Sequence, residues 1–373
     1  MAGEVYYLGL ALKNPIIAAA GPWSGNAERI QRSIDAGAAA VVTETVSLEG
    51  SCELCPRIYS RHDTILNTTL YSPVSFEAWE DELVKINKKD SYIICNIRGN
   101  TPSEFAYISA CMERWGADAL ELTPFTPTGA QLEAIDSSPE AIYEIIKAVV
   151  RTVDIPVSVR LPFYLSGQKK YIRKIEEAGA SGIATTETMK ALWGVDLERK
   201  CSLVPTFGGL SGPALLPITF AAVAGLSQMT ACSIAAMGGV TAAEEALECV
   251  MLGADAVQVG SSILLSDYKV IGEMVSEIEK WLYQHQYKTL SSIHGAALKT
   301  IHAYEDLHFC KRKGYIKEHV AVLRETVEKS MKACLNGAIS YSNDKLSINE
   351  ERCNGCGVCM MLASELFGMK KVK

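Results

Sequence analysis

The sequence has no excess of positive charge. Its 36 Lys and Arg residues are outnumbered by 43 Asp and Glu, which gives a formal net charge of −7 at pH 7. A general electrostatic attraction to nucleic acid or to anionic lipid is therefore not expected. We expect the partners of this protein to be a small molecule or another protein.

Targeting and membrane-spanning segments are also lacking. Residues 1–9 contain no basic region followed by an apolar run, as a secretory signal would require. The most apolar stretch, 217–236, is interrupted by Gly225, Gln228 and Ser233. It is therefore more typical of a buried helix followed by a buried strand than of a membrane span. We expect a cytoplasmic, globular protein that does not bind membranes.

Eight short apolar or β-branched segments alternate with amphipathic helical stretches through the first 265 residues. This alternation is typical of repeated βα units around a parallel sheet. Eight units favour a closed barrel over an open sheet, because closure gives every strand two neighbours. The predicted strands are 16–20, 40–46, 92–97, 119–122, 157–160, 182–185, 232–236 and 256–259.

The domain prediction is an α/β protein with a small appendage. We expect a (β/α)8 TIM barrel over 1–300, a helical connector over 301–324 and a C-terminal ferredoxin-like α+β module over 325–373. The chain has 12 cysteines, and in a reducing compartment so many indicate metal or redox chemistry before disulfides.

Four of these cysteines lie in the tail. Cys353, Cys356 and Cys359 form a CxxCxxC run, which places three thiolates around one small loop. The tail resembles two-cluster bacterial ferredoxins, in which the fourth ligand comes from a distant Cys-Pro step. Cys334 stands at that step, although Leu335 replaces the proline. The resemblance implies one [4Fe-4S] cluster on Cys334 and the three cysteines of the run. A zinc site is the alternative, but zinc sites usually separate two CxxC pairs.

The same alignment implies that a second cluster has been lost. Its four ligand positions are occupied by Arg324, Val327, Ser330 and Ala363.

Glycine-rich segments follow the seventh and eighth predicted strands, at Gly238-Gly239 and Gly260-Ser261. TIM barrels bind phosphate groups in these two loops, where glycines let backbone amides approach the anion. The small residues 18–21, at the end of the first strand, could form a flat floor for a planar ring. A further glycine-rich segment, 208–214, lies between the sixth and seventh strands.

Together these segments resemble the dihydroorotate dehydrogenase family, including the flavin domain of dihydropyrimidine dehydrogenase, over nearly all of residues 1–300. The most specific parts are GGLSGPA at 208–214 and the stretch from MGGV to GADAVQVGS within 237–261. The resemblance implies an FMN-dependent oxidoreductase acting on CH–CH bonds, and a homodimer. It implies that the flavin ring is lined by Ala20, Gly21, Thr45, Asn96 and Arg160, the last in place of a lysine. It assigns the phosphate to Gly212, Gly238, Gly239, Gly260 and Ser261.

The catalytic positions depart from the family pattern. Thr126 takes the place of the acid/base cysteine or serine, and a threonine hydroxyl hardly ionises near neutral pH. Glu44 replaces a lysine and Glu187 an asparagine, whereas Asn67 matches the substrate-loop asparagine. Two carboxylates disfavour an anionic substrate such as orotate. We predict a neutral or cationic substrate, with Thr126, Glu44 or Glu187 as the acid/base.

An alternative interpretation of Glu44 is a structural ion pair with Arg57 or Arg160. The pair Cys52 and Cys55, in the active-site loop, is a weaker candidate for a redox or metal site, because a lone CxxC is a common pattern.

A flavin and a cluster on one chain predict that single electrons pass to or from a redox partner through the cluster. Because no glycine fingerprint for NAD is evident, we expect the partner to be a ferredoxin or an NAD(P)H-dependent flavoprotein subunit. Two other functions stay open. One is a dihydropyrimidine or dihydroorotate dehydrogenase proper, with Thr126 as proton relay. The other is an electron-transfer subunit whose catalytic pocket has decayed.

Overall fold

The computed structural model describes residues 5–50, 54–125, 138–307, 311–318, 323–343 and 345–371. Its main feature is a closed barrel of eight parallel strands, as the sequence predicts. The strands are β1 (Ile16–Ala18), β2 (Ala40–Val42), β3 (Tyr92–Ile97), β4 (Ala119–Leu122), β5 (Val157–Arg160), β6 (Gly182–Thr185), β7 (Ser233–Met237) and β8 (Ala256–Val259). Pairing of β8 with β1, with Val257 opposite Ile16, closes the ring.

The first two strands are shorter than predicted. β1 ends at Ala18 and β2 at Val42, whereas the predicted strands continued to residues 20 and 46 because the residues there are mostly small or apolar. The residues that follow, including Ala20 and Glu44, leave the strand pairing and line the mouth of the barrel. Loops at the carboxyl ends of barrel strands form the functional face in this architecture.

Each barrel strand is followed by a helix. The eight outer helices are Ala27–Asp35, Ala78–Val84, Pro102–Arg114, Pro139–Val150, Lys169–Glu177, Leu216–Leu226, Ala243–Met251 and Lys269–Gln284. Helix Pro139–Val150 is an example of how these helices pack against the barrel. Its buried residues have the spacing that places them on one face of a helix, and they are Ile142, Ile145, Ile146 and Val149. Its Ser138 side chain accepts a hydrogen bond from the amide of Ala141, which caps the first turn. Two shorter helices, Phe163–Ser166 and Ser261–Ser266, follow β5 and β8 directly.

A four-stranded antiparallel sheet at residues 58–67, 189–191 and 208–211 joins two loops of the barrel. Its order is Met189–Ala191, Gly208–Ser211, Thr64–Asn67, Ile58–Arg61. The register places Asn67 opposite Gly209. A Cβ on Gly208 would lie 2.6 Å from the carbonyl oxygen of Asn67, so the glycine permits this close approach. The sheet therefore brings the predicted substrate loop to the glycine-rich segment 208–214.

The chain forms two compact units, Met1–Thr300 and Ile301–Lys373. The second unit contains helix Arg324–Ala333, the hairpin Ile339–Ser342 with Lys345–Ile348, and the short helix Val358–Leu362. Strand Arg312–Ile316 pairs antiparallel with Phe367–Lys371. Residues 301–324, expected to be a helical connector, thus include a strand. Its partner lies about fifty residues later, beyond the reach of a local pattern.

The second unit has its own small apolar core, formed by Val327, Ile339, Leu346, Leu366 and Phe367. Across the described ranges, no helix combines the length and the hydropathy that crossing a membrane demands.

Candidate active site and cysteine site

A cleft lies at the mouth of the barrel. Two cavities make up the cleft, and they share Ala20, Arg160 and Thr188. The first, which we call the polar cavity, is lined by charged and polar residues of the loops after β1, β2 and β6. The second, the glycine cavity, is lined by the loops after β7 and β8. The predicted residues in the polar cavity are Ala20, Gly21, Glu44, Thr45, Asn67, Arg160 and Glu187. Those in the glycine cavity are Ala20, Arg160, Gly238, Gly239, Gly260 and Ser261.

Backbone conformation explains the two central glycines of the glycine cavity. Gly238 and Gly239 have φ of 116° and 84°, which L side chains rarely adopt. A Cβ on Gly239 would lie 2.4 Å from the amide nitrogen of Leu216. Gly212 has a different position, because it packs against the backbone of Asp63, while its neighbour Ser211 lines the cavity.

Trp23 is a site residue that the sequence analysis missed. Its indole Nε1 donates a hydrogen bond to the carbonyl oxygen of Ala19 at 2.6 Å. The ring lies so close to Gly21 and Gly260 that a Cβ on either would be 2.4 or 2.8 Å from it. The indole thus closes one side of the glycine cavity. A large aromatic residue within a run of small residues was the available signal.

Glu121 is the second missed residue, and it is fully buried inside the barrel. Its Oε1 accepts hydrogen bonds from Arg160 Nε at 3.0 Å and Nη2 at 2.6 Å, and from Asn96 Nδ2 at 2.8 Å. Its Oε2 accepts from Gln258 Nε2 at 2.6 Å. Arg160 is therefore paired with Glu121 and not with Glu44. A lone charge at an inward-facing strand position needs a partner, and this need was the available signal.

Asn96 was expected to line a ring. Its side chain is fully buried, and its amide donates to both Glu121 and Thr123, at 2.8 Å each. Asn96 itself lines neither cavity, and of its two acceptors only Thr123 lines the polar cavity. Asn96 therefore lies one side chain away from the cleft.

Glu44 is a buried carboxylate in the polar cavity, 4% exposed. Neither of its oxygens has a hydrogen-bond partner among the described residues. The nearest cation is Arg57, whose Nη1 lies 4.0 Å from Oε1. Burial raises the pKa of Glu44 to about 7, and the charges of Arg57 and Arg29 limit the rise.

Glu187 is the second buried carboxylate of the polar cavity, also 4% exposed. Burial raises its pKa to about 8, against the opposing effect of Arg160 and Arg98. Arg98 is a further residue that the sequence analysis did not assign. Its Nη1 donates to the carbonyl oxygen of Pro124 at 2.5 Å, and its side chain lines the polar cavity.

Asn67 lies in the polar cavity, where its Oδ1 accepts a hydrogen bond from the amide of Thr69 at 2.9 Å. Thr126 and Cys52 lie outside the described residues. Cys55 is exposed and is a free thiol.

The second unit brings Cys334, Cys353, Cys356 and Cys359 to one cavity, which Gly314 also lines. All four are free thiols. The amide of Gly314 donates to Cys353 Sγ, and that of Ala338 to Cys334 Sγ, both at 3.3 Å. Within the described ranges, no three His, Cys, Asp or Glu side chains are grouped as ligands of a single metal ion. The cysteines instead surround a small cavity.

Comparison with known proteins adds independent evidence. The family model described as "Dihydroorotate dehydrogenase" matches residues 3–282. The chain is 33% identical over 308 residues to "Dihydroorotate dehydrogenase B (NAD(+)), catalytic subunit" of Pyrococcus abyssi, which covers 79% of this chain and 99% of that protein. The protein of the same description from Pyrococcus furiosus is 31% identical over 308 residues, 80% of this chain and all of the relative. The family match ends at residue 282, before the four cysteines.

Proposed function

Because the chain belongs to the dihydroorotate dehydrogenase family of CH–CH oxidoreductases, we propose that it uses FMN to oxidise or reduce a small neutral or cationic substrate. In this proposal, one [4Fe-4S] cluster in the second unit relays electrons to or from a partner protein. The observation that carries the proposal is the pair of buried carboxylates, Glu44 and Glu187, in the cleft.

The residues of the cleft fit FMN. Gly238, Gly239, Gly260 and Ser261 would hold the phosphate, because the glycines leave backbone amides accessible. Gln258 Oε1 and Thr186 Oγ1 are buried without a partner in the described part of the chain, and both residues line the glycine cavity. These orphaned groups are suited to a polar ligand.

Ala20, Gly21, Thr45 and Arg160 would line the ring. Bound FMN supplies hydride exchange with a substrate carbon. The cleft's own residues orient the substrate and hold the proton that accompanies this exchange.

The charge of the polar cavity supports a substrate without a carboxylate. Arg160 is already paired with Glu121, and Arg98 donates to a backbone carbonyl. Two carboxylates with raised pKa values would repel an anion whenever either is ionised, and this repulsion is strong where water is excluded. A neutral substrate with hydrogen-bond donors, or a cation, fits these side chains better.

The same carboxyls are suited to acid/base work. With pKa values near 7 and 8, Glu44 and Glu187 are each present in both protonation states near neutral pH. Either can give a proton to a substrate carbon as it is reduced, or take one as it is oxidised. We assign the acid/base role to this pair, with Asn67 as a hydrogen-bonding partner of the substrate.

The four tail cysteines fit an iron–sulfur cluster. Their sulfurs line one cavity, and two of them already accept hydrogen bonds from backbone amides. A Cβ on Gly314 would be in van der Waals contact with the sulfurs of Cys353 and Cys359, 3.8 Å from each, so Gly314 lies directly beside two of the thiols. A [4Fe-4S] cluster held here supplies one-electron transfer.

We propose a protein partner for these electrons. The relatives are described as catalytic subunits of NAD(+) enzymes, which supports a nicotinamide-dependent flavoprotein subunit as the partner. A ferredoxin is the alternative partner. A homodimer of the barrel remains a prediction from the family resemblance.

A second candidate function is dihydroorotate or dihydropyrimidine oxidation itself. The description of the relatives favours it, as does Asn67 in the substrate loop. It conflicts with the two carboxylates when the substrate is dihydroorotate, but not when it is a neutral dihydropyrimidine.

A matched pair of ligands tests the proposal. Uracil and orotate differ by one carboxylate, and binding of either beside the flavin can be followed by its absorbance under anaerobic conditions. We expect orotate to bind at least about tenfold more weakly than uracil at pH 8.5, a difference of about 1.4 kcal/mol. The double variant Glu44→Gln, Glu187→Gln should show a smaller difference in affinity between uracil and orotate. Tighter binding of orotate, or bleaching of the flavin by dihydroorotate, would favour dihydroorotate oxidation, and bleaching by dihydrouracil would favour oxidation of a neutral dihydropyrimidine.

A further inference from the structure

The side chain of Glu121 connects three residues that lie on three different barrel strands. Asn96 belongs to β3, Arg160 to β5 and Gln258 to β8, and all three donate hydrogen bonds to its carboxylate. The pairing register places Asn96 directly opposite Glu121. The carboxylate is 0% exposed, so its negative charge is not screened by water.

Arg160 lies where the two cavities of the cleft meet, since it lines both of them. Its Nε and Nη2 point to Glu121, whereas its Nη1 has no hydrogen-bond acceptor in the part of the chain that the structure describes. Both bonds go to the same oxygen, Oε1, and two hydrogen bonds on one side of a guanidinium group restrain its orientation. The placement of Arg160 where the two cavities meet therefore depends on Glu121.

We propose that Glu121 is a positioning residue that aims Arg160 into the flavin site and offsets its positive charge, and so lowers the reduction potential of the bound flavin. This inference rests on the proposed function only in that FMN occupies the cleft. A positive charge beside a flavin stabilises its reduced, negatively charged form. A buried carboxylate within hydrogen-bond distance of that charge opposes the effect.

Glu121 influences the cleft indirectly, whereas Glu44 and Glu187 line it. Both oxygens of Glu121 already accept hydrogen bonds from side chains of the barrel, three on Oε1 and one on Oε2. Glu121 does not line either cavity of the cleft. It acts through Arg160 and Gln258, which do line the cleft.

The test is the midpoint potential of the bound flavin in the holoprotein, measured by anaerobic titration against a reference dye. Glu121→Gln keeps an amide oxygen as acceptor but removes the charge, so the potential should shift to a more positive value. Glu277→Gln makes the same chemical change at an exposed site on helix Lys269–Gln284 and should leave the potential unchanged.

A double-variant cycle separates positioning from a general electrostatic effect. In an Arg160→Gln background, Glu121→Gln should change the potential much less than it does in the wild type, because the residue it acts through is gone. An equal shift in both backgrounds, or no shift in either, overturns the inference.

Glu121→Gln leaves a buried guanidinium without its counter-ion and could prevent folding. In that event Glu121→Asp, which keeps the charge but withdraws it by one methylene group, should give a smaller shift in the same direction. An unchanged or more negative potential in the Asp variant also overturns the inference. Failure of the wild type to retain FMN contradicts the proposed function instead, so the two failures are distinguishable.

Discussion

Arg57 Nη1 lies 4.0 Å from Glu44 Oε1, which is beyond hydrogen-bond distance. The cation therefore limits the pKa of Glu44 without holding its carboxyl ionised. The contact is an ion pair at the outer limit of its distance range, and Arg160 takes no part in it because it is paired with Glu121. Neither oxygen of Glu44 has a hydrogen-bond partner among the described residues, so both are open to a ligand.

The stability of the protein should depend on pH through Glu44. A carboxyl whose pKa rises from 4.5 to about 7 on folding stabilises the fold below pH 4.5, and that contribution is lost as the pH rises through about 7. The Glu44→Gln variant cannot ionise at this position and so does not lose this stability. The unfolding free energy of the variant minus that of the wild type should therefore increase by on the order of 2–3 kcal/mol from pH 4.5 to pH 8.

Urea denaturation at both pH values measures the gain, and the exposed Glu144→Gln serves as the control. An equal stability difference at the two pH values would show that Glu44 titrates normally.

Glu187 should govern the pH dependence of the reaction. As a proton donor it must be protonated, so the rate of substrate reduction should fall as the pH rises through about 8. Glu187→Gln should lower that rate by about 10²–10⁴-fold and abolish the alkaline limb. Stopped-flow measurement of flavin reoxidation by an activated alkene that the wild type accepts tests this. If the rate of the variant still falls at alkaline pH, the proton donor is Glu44 or Thr126 and not Glu187.

Gly239 should be required for cofactor binding. A Cβ at residue 239 would overlap the amide of Leu216, in a segment that lines the glycine cavity. Gly239→Ala should therefore lose most of its FMN. Gly116→Ala is the matched control, because Gly116 has a similar φ of 102° but open space around it. Both variants share the backbone strain, of about 1–2 kcal/mol, and only Gly239→Ala should lose flavin absorbance.

Cys334 is the proposed cluster ligand that the sequence supports least directly, because no proline follows it. Cys334→Ser should lose iron and acid-labile sulfide while the barrel keeps its FMN, since the two sites belong to separate units. Cys201→Ser, at an exposed cysteine of the first unit, should change neither content. If Cys334→Ser retains a full complement of iron, the fourth ligand lies elsewhere.

The sequence predicted the barrel well because strand and helix periods are local signals. The glycines after the seventh strand, such as Gly239, were also predicted at the functional face, since TIM barrels place glycine-rich loops there; their positive φ was not predicted. The pairing of Asn67 with Gly209 could not be predicted, because it joins segments more than 140 residues apart. The same holds for Glu121, whose partners come from three other strands. A charged residue in a buried strand indicates that it has a partner, but it does not show which residue the partner is.

In the proposed function, one chain carries a flavin in the barrel and an iron–sulfur cluster in its second unit. The most direct test is the flavin, iron and acid-labile sulfide content of the full chain purified without oxygen. We expect one FMN and one complete [4Fe-4S] cluster for each chain. A colourless protein, or a yellow protein with no iron and sulfide, would contradict it.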